Sequence, residues 1–157
     1  MALVKGTNSY ATVEEADIYF DDRLDVAAWT DANSVMKSQA LITATSILDD
    51  MSWTGLSSSE TQTLAFPRTG VYLDTKLGYS LPMSPTPTRI LRGTFELAYH
   101  LLNNEGLADE TGSILSMSVS SINMTTIIAP NKIPNTVMNA VRPLLVNNGS
   151  NSWWRAN

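Results

Sequence analysis

The sequence predicts a mainly α-helical domain: a bundle of about four helices with a long irregular loop and a short β-hairpin or extended arm. Three stretches place apolar residues three and four positions apart, and a fourth such stretch follows Pro134. That spacing is typical of amphipathic helices, whereas the stretch before Pro134 alternates apolar and polar residues as strands do. With 157 residues, 43% of them hydrophobic, the chain fits one domain with an ordinary core. We expect this domain to occupy residues 1–146 and a flexible tail to occupy residues 147–157.

The first helix is expected from Val13 to about Leu24. Thr12 and Glu15 have the spacing of a capping box, in which each side chain binds the other residue's backbone amide. The face opposite the apolar one carries four carboxylates, Glu14, Asp17, Asp21 and Asp25. An acid–base pair would need a cleft that separates two pKa values, so we interpret this face as solvated surface.

A second helix is expected from Thr30 or Asp31 to about Met51, where the apolar residues form a wide stripe. Residues 54–88 are rich in glycine, serine and proline, which predicts irregular structure. A loop of this length is unusual in a compact domain. It is either functional or held in place by other parts of the chain.

The third helix has the clearest boundaries. Thr86 is a capping residue, Pro87 suits the first helical position, and Asn103 to Gly106 form a typical helix end. Residues 113–128 are expected to be extended, and the alternation changes parity at Ser120-Ser121, which indicates a turn or bulge. The fourth helix starts near Pro134 and is expected to kink or end around residues 139–143, because Pro143 removes a helix hydrogen bond.

The composition excludes several functional classes. The chain has no cysteine and a single histidine, His100, which excludes disulfide scaffolds, cysteine zinc sites, iron–sulfur clusters and thiol catalysis. The sequence also lacks the GxSxG, HExxH, P-loop and GxGxxG motifs. We therefore expect a protein that is not an enzyme and needs no cofactor or metal. The N-terminus lacks the apolar stretch of a signal peptide, and no stretch is apolar enough to span a bilayer, so we expect a cytoplasmic protein without a membrane partner.

The charge is acidic overall and unevenly distributed. The net charge is -5, with ten acidic and three basic residues in 1–66 but five acidic and seven basic residues in 67–157. The acidic part of one subunit could pair with the basic part of a neighbour, or both could simply be solvated.

Sequence indications of single-stranded-DNA binding are weak, because such binding combines a basic groove with exposed aromatic rings. Phe66, Tyr72 and Tyr79 lie near Arg68 and Lys76 in the sequence. We therefore interpret this pattern as core aromatics with loop charges.

The C-terminal tail ends in two tryptophans followed by an arginine. Trp153, Trp154 and Arg155 follow a polar linker, and tryptophan and arginine are common anchors of protein interfaces. The tail either folds back onto its own domain or docks on a partner or a neighbouring subunit.

A set of short motifs also occurs in a defined order. They are Asn8-Ser9-Tyr10, Glu15-Ala16-Asp17, Tyr19-Phe20, Gln39-Ala40-Leu41-Ile42-Thr43-Ala44-Thr45, Leu48-Asp49, Trp53-Thr54-Gly55, Gln62-Thr63-Leu64-Ala65-Phe66-Pro67-Arg68-Thr69-Gly70-Val71, Asp74 and Phe95-Glu96-Leu97-Ala98. Over residues 8–145 this order resembles a phage and prophage family often labelled DnaT-like single-stranded-DNA-binding proteins. Members of that family look like head–tail adaptors, also called head-completion or connector proteins, of tailed bacteriophages. Phe66 departs from the family, which usually has tryptophan there.

The resemblance implies a structural virion protein of the neck, which forms a homo-oligomeric ring of about twelve subunits and connects capsid to tail. Its implied partners are the portal protein and tail or neck proteins, with DNA passing through the channel without specific binding. The implied location is the virion neck, with host cytoplasm during assembly. Trp153, Trp154 and Arg155 would then dock on the portal. The alternative is a single-stranded-DNA-binding module of phage replication.

The motif around Phe66, Pro67, Arg68, Gly70 and Asp74 we interpret as structural. Pro67 is expected to fix a turn. Arg68 is expected to pair with a carboxylate such as Asp74, or with one on a neighbouring subunit.

Overall fold

A computed structural model describes residues 2–103, 113–119, 122–128 and 133–146, of which 113–119 and 122–128 are described by their backbone. The helices there are α1 (Val13–Asp21), α2 (Ala27–Thr30), α3 (Ser34–Asp49), α4 (Thr88–Asn103) and α5 (Asn135–Val141), followed by a 3-10 turn (Arg142–Leu144). The strands are β1 (Leu56–Ser57), β2 (Arg68–Thr69), β3 (Val71–Asp74), β4 (Tyr79–Pro82), β5 (Ser113–Val119) and β6 (Ile122–Ile128). They pair as three antiparallel two-stranded sheets, β1 with β2, β3 with β4 and β5 with β6.

Helix α4 is the centre of the core and packs against both α3 and α5. Gly93 allows the close approach of α5, because a Cβ there would lie 2.7 Å from Cγ1 of Val141. Leu48 of α3 reaches the same point, with its Cδ1 3.7 Å from that position. The fold is therefore α-rich with short hairpins, as expected in outline, but it is not confirmed as a four-helix bundle.

The first half of the chain confirms the predicted capping and corrects two boundaries. Thr12 and Glu15 form the capping box. Helix α1 ends at Asp21 rather than near Leu24, with Asp22 as its C-cap, and Asp25 further along the chain has a φ of 58°. Helix α3 starts at Ser34 rather than at Thr30 or Asp31.

The later start of α3 has a local cause. Asn33 caps α3 by accepting a hydrogen bond from the Met36 amide at 2.9 Å. The short helix α2 precedes it and buries Trp29, whose Nε1 donates to Asp17 Oδ1 at 2.8 Å. Asp17 lies on the face that was expected to be solvated, but it is half-buried and also pairs with Lys37 at 2.8 Å.

The segment expected to be irregular, 54–88, contains β1 to β4. In β3 and β4, Val71 pairs with Pro82 and Asp74 pairs with Tyr79. Beyond these strands, Met83 donates its amide to the Gly70 carbonyl at 3.1 Å. The strands are two to four residues long, too short to show a period in the sequence.

The remaining elements follow the sequence predictions. Helix α4 begins at Thr88, one residue after Pro87. The backbones of β5 and β6 form the expected hairpin, with Ser113 opposite Ile128 and Val119 opposite Ile122, while Ser120-Ser121 lies outside the described residues. Helix α5 ends at Val141, within the predicted region, and continues as the 3-10 turn that contains Pro143. None of the described helices is long and apolar enough to cross a membrane.

Candidate nucleic-acid interface

Asp74, at the end of β3, joins three elements of the fold. Its buried carboxylate accepts two hydrogen bonds from Arg89 of α4, from Nη2 at 2.6 Å and from Nε at 2.7 Å. It also accepts the backbone amides of Lys76 at 2.9 Å and Leu77 at 3.2 Å, which fixes the turn between β3 and β4. Arg89 in turn donates to the Ala140 carbonyl of α5 at 3.2 Å.

This arrangement favours the charged state of both partners. Hydrogen bonds from Arg89, together with the two backbone amides, lower the pKa of Asp74 from 3.8 to about 2. The same carboxylate raises the pKa of Arg89. The bidentate pair is thus a permanent ion pair at neutral pH, and it holds the turn against α4.

Two open cavities, each of about 460 Å³, lie beside this ion pair. The first, which we call the α4 cavity, is lined by Tyr19, Asp74, Lys76, Leu77, Thr88, Arg89, Leu91, Arg92 and Phe95. The second, which we call the α5 cavity, is lined by Thr75, Asn139, Arg142 and Pro143. Asp74, which lines the first cavity, and Thr75, which lines the second, are consecutive residues.

The two cavities are lined by the described lysine and arginine side chains that have no ion-pair or hydrogen-bond partner there. In that part of the chain Lys5, Arg23, Lys37 and Arg89 form ion pairs, and Arg68 donates to backbone carbonyls. The other three described cations are Lys76, Arg92 and Arg142, and their side chains make no ion pair or hydrogen bond within the described residues. Lys76 and Arg92 line the α4 cavity and Arg142 lines the α5 cavity. All three are exposed to solvent.

The carboxylates near the α4 cavity are neutralised. Asp74 is paired with Arg89, as described above. Glu96 on α4 is 6% exposed and accepts from Arg23 Nη1 at 2.5 Å and from the Tyr19 hydroxyl at 2.6 Å. Burial, with the hydrogen bond to Glu96, raises the pKa of Tyr19. The cavity walls therefore carry a net positive charge.

An exposed aromatic ring stands next to these cations. Tyr79 lies opposite Asp74 in the hairpin register and is 55% exposed. Leu77, in the turn, is 51% exposed. Lys76 lies in the turn and Tyr79 begins β4 three residues later, so a free cation and an exposed ring lie close together in the chain.

The structure places each residue of the predicted motif in or near the core. Phe66 is buried and makes edge-to-face contacts with Tyr10 and Trp53. The Phe66-Pro67 bond is cis. Gly70 has a φ of 106°, and a Cβ there would lie 3.1 Å from the Met83 side chain.

The predicted pairing of Arg68 with Asp74 is wrong, because Asp74 is bound to Arg89. Arg68 instead donates to backbone carbonyls around the preceding loop, those of Thr54 at 2.8 Å, Gly55 at 2.5 Å, Ala65 at 3.3 Å and Trp53 at 3.4 Å. A guanidinium has five donors in a planar fork, which suits several carbonyls in one plane. We therefore keep the structural interpretation of the motif, with backbone carbonyls instead of Asp74 as the partners of Arg68.

The predicted docking residues Trp153, Trp154 and Arg155 lie outside the described residues, and their role stays a prediction. His100, the single histidine of the chain, is half-buried on α4. Among the described residues there is also no group of three or more histidine, cysteine or acidic side chains placed to hold a metal ion.

Sequence reasoning missed Arg92, Arg142 and Asn139 as candidate site residues. It did single out Lys76 and Tyr79, but grouped them with Phe66 and Arg68, which serve the core. One signal was present in the sequence: Arg89 and Arg92 are three positions apart just after a proline-led helix start, so they share a helix face. The contribution of α5 depends on tertiary packing and had no local signal.

Comparison with known proteins gives one match. A family model described as "Putative DnaT-like ssDNA binding protein" matches residues 2–157. No curated protein and no solved structure matches the chain significantly.

This match corrects the expected function. The family description names a protein that binds single-stranded DNA, which was the alternative, and it does not describe a virion component. The expectation of a structural head–tail adaptor ring is therefore wrong. Nothing here tests the portal protein or tail proteins as partners, the virion neck as location, or the absence of catalysis, and these stay predictions.

Proposed function

This chain belongs to the family of DnaT-like ssDNA-binding proteins, and we propose that it binds single-stranded DNA through the α4 cavity and the adjacent hairpin turn. The observation that carries the proposal is the family match over residues 2–157. We propose binding without catalysis, since the sequence lacks the motifs that the common nucleophilic, metal-dependent and nucleotide-dependent enzymes need.

The cations of the α4 cavity support this proposal. Phosphate neutralisation by lysine and arginine supplies most of the affinity of proteins for nucleic acids. Lys76 and Arg92 are exposed and have no carboxylate partner among the described residues, so they are available to phosphates. Arg89 has a different role, because its guanidinium is occupied by Asp74 and Ala140.

Tyr79 supplies the other component of a single-strand site. Bases of an unpaired strand stack on exposed aromatic rings, and each stacked base contributes about 1–3 kcal/mol. Tyr79 is more than half exposed and begins β4, three residues after Lys76. A duplex keeps its bases stacked on each other, so this ring favours a single strand.

The negative net charge of the chain is compatible with DNA binding at a small basic site. The net charge of -5 is concentrated in residues 1–66. At about 0.1 M salt the Debye length is about 10 Å, so exposed charges further away than this are largely screened. The affinity then depends mainly on the charges that line the cavity.

The proposal predicts that Arg92→Ala binds a fluorescein-labelled oligothymidine about five-fold more weakly. This corresponds to a loss of about 1 kcal/mol of binding free energy. Tyr79→Ala is expected to lose about 1–3 kcal/mol of binding free energy, and Tyr79→Phe to retain most of it. The measurement is fluorescence anisotropy at low salt, with circular dichroism to confirm that each variant is folded.

Lys5→Ala is the matched control, because it removes the same charge from an exposed lysine that lines neither cavity. Its affinity should equal that of the wild type. Equal affinities for wild type, Arg92→Ala and Tyr79→Ala would place the binding elsewhere. A wild-type protein that fails to bind would reject the function itself.

A further inference from the structure

We propose that the α5 cavity is a second subsite, which binds a phosphate of the same strand that occupies the α4 cavity. This inference rests on the proposed function and extends it: the ligand is a phosphodiester backbone long enough to pass over the hairpin turn. It assigns a role to α5, which the sequence did not connect with any site.

The lining of the α5 cavity suits a phosphate. Arg142 supplies a guanidinium, Asn139 an amide and Thr75 a hydroxyl, all of which donate hydrogen bonds to phosphate oxygens. No carboxylate lines this cavity in the described residues. Arg142 and Asn139 are exposed, and their side chains make no hydrogen bond or ion pair within the described residues, so no internal partner would have to be displaced.

The two cavities are lined by neighbouring residues of the hairpin turn. Thr75, which lines the α5 cavity, lies between Asp74 and Lys76, which line the α4 cavity, and consecutive Cα atoms are about 3.8 Å apart. One strand that passes over the turn can therefore contact Lys76 and Arg92 at the α4 cavity and Arg142 at the α5 cavity.

Hydrogen bonds hold both the hairpin turn and the α5 wall in place. The turn is held by the Asp74 carboxylate and by the bond from the Gly78 amide to the Asp74 carbonyl at 2.7 Å. The α5 wall is held by the bond from Arg89 to the carbonyl of Ala140, the residue after Asn139. A preorganised pair of subsites loses little freedom when the strand binds.

The test compares two lengths of oligothymidine, about four and about sixteen nucleotides, within the range of single-strand site sizes. The proteins are wild type, Arg142→Ala, Asn139→Ala and the control Lys5→Ala. Anisotropy titrations at several salt concentrations give the affinity and the salt slope for each. The side chains of Arg142 and Asn139 are exposed and make no hydrogen bond or ion pair within the described residues, so both variants should fold, and thermal unfolding verifies this.

For the long oligonucleotide we expect Arg142→Ala to bind about five-fold more weakly, with a salt slope lower by about 0.7, the value for one phosphate contact of a single strand. Asn139→Ala should weaken the long complex without changing the salt slope. For the short oligonucleotide both variants should lose less affinity than for the long one, because a strand of about four nucleotides can bind at Lys76 and Arg92 without contacting Arg142.

Three outcomes would overturn the inference. If Arg142→Ala binds the long strand as the wild type does, with an equal salt slope, the α5 cavity takes no phosphate while the proposed function stands. If the variant is weakened equally for both lengths, the cavity is not a separate subsite. If the wild type binds neither oligonucleotide, the proposed function fails and the subsite with it.

Discussion

Asp74 connects the local structure of the hairpin with the packing of two helices. Its carboxylate fixes the turn through two backbone amides and orients Arg89, which then reaches the α5 backbone. The free cations Lys76 and Arg92 line the same cavity as Asp74. Because the Asp74 carboxylate is itself paired with Arg89, its role in the proposed site is to position these neighbouring groups.

Asp74→Asn is predicted to unfold more easily than the wild type at neutral pH. The folded-state pKa of Asp74 is about 2, below the ordinary value of 3.8. The carboxylate therefore stabilises the fold fully above about pH 4, and this contribution is lost as the pH falls from about 4 to about 2. The difference in urea midpoint between wild type and Asp74→Asn should shrink over that interval.

Asp21→Asn is the control for that series, since Asp21 is exposed at the end of α1 and forms no ion pair within the described residues. Its midpoint should follow the wild type at every pH. A difference between wild type and Asp74→Asn that stays constant from pH 7 to pH 2 would refute the role given to the ion pair.

Arg68→Lys is predicted to destabilise the protein by about 1–3 kcal/mol, although the charge is unchanged. A lysine ammonium cannot follow the planar fork that reaches four carbonyls, so some of these acceptors lose their partner. Urea unfolding measures the effect. Arg142→Lys is the control, because it makes the same exchange at an exposed guanidinium that has no partner in the described residues. It should leave the free energy of unfolding unchanged. Equal unfolding curves for Arg68→Lys and the wild type would contradict the prediction.

At the scale of elements, the contact of α4 with α5 depends on Gly93. A methyl group there would lie 2.7 Å from Val141 Cγ1, closer than side chains can approach. We expect Gly93→Ala to destabilise the protein by about 1–2 kcal/mol, because the overpacking exceeds the gain in helix propensity of about 1 kcal/mol. Thermal unfolding measures the change.

Ser46→Ala is a suitable comparison for Gly93→Ala, because Ser46 is an exposed position within α3. It should be neutral or slightly stabilising. A second variant, Gly93→Ala with Val141→Ala, should lose less stability than the sum of the two single changes, since the smaller residue 141 makes room. If Gly93→Ala is as stable as the wild type, then α5 does not pack against α4 as described.

The elements that the sequence predicted are those whose signals are local. The capping box of Thr12 and Glu15 and the proline-led start of α4 lie within four residues of the helix that they begin. The hairpins between residues 56 and 82 were missed because each strand has two to four residues. Their stability comes from Arg68 and Asp74, whose partners lie up to 15 residues away.

At the scale of the whole molecule, the candidate site combines residues from the hairpin, α4 and α5. Lys76, Tyr79 and Asp74 were singled out from the sequence, but Arg92 and Arg142 were not. Whether a lysine or arginine lacks an ion-pair partner depends on the fold, so the sequence alone could not distinguish Arg92 and Arg142 from the paired cations. The sequence therefore predicted an α-rich domain and part of the site, while the resemblance led to a function that the family match corrects.

The central claim is that this chain binds single-stranded DNA at a small basic surface of an acidic protein. The most direct measurement is a titration of the wild-type protein with labelled single-stranded oligothymidine and with a duplex, at several salt concentrations. We predict tighter binding of the single strand, with a salt slope of about -2, for three phosphate contacts at about 0.7 each. No binding at low salt, or equal affinity for the duplex, would contradict the account.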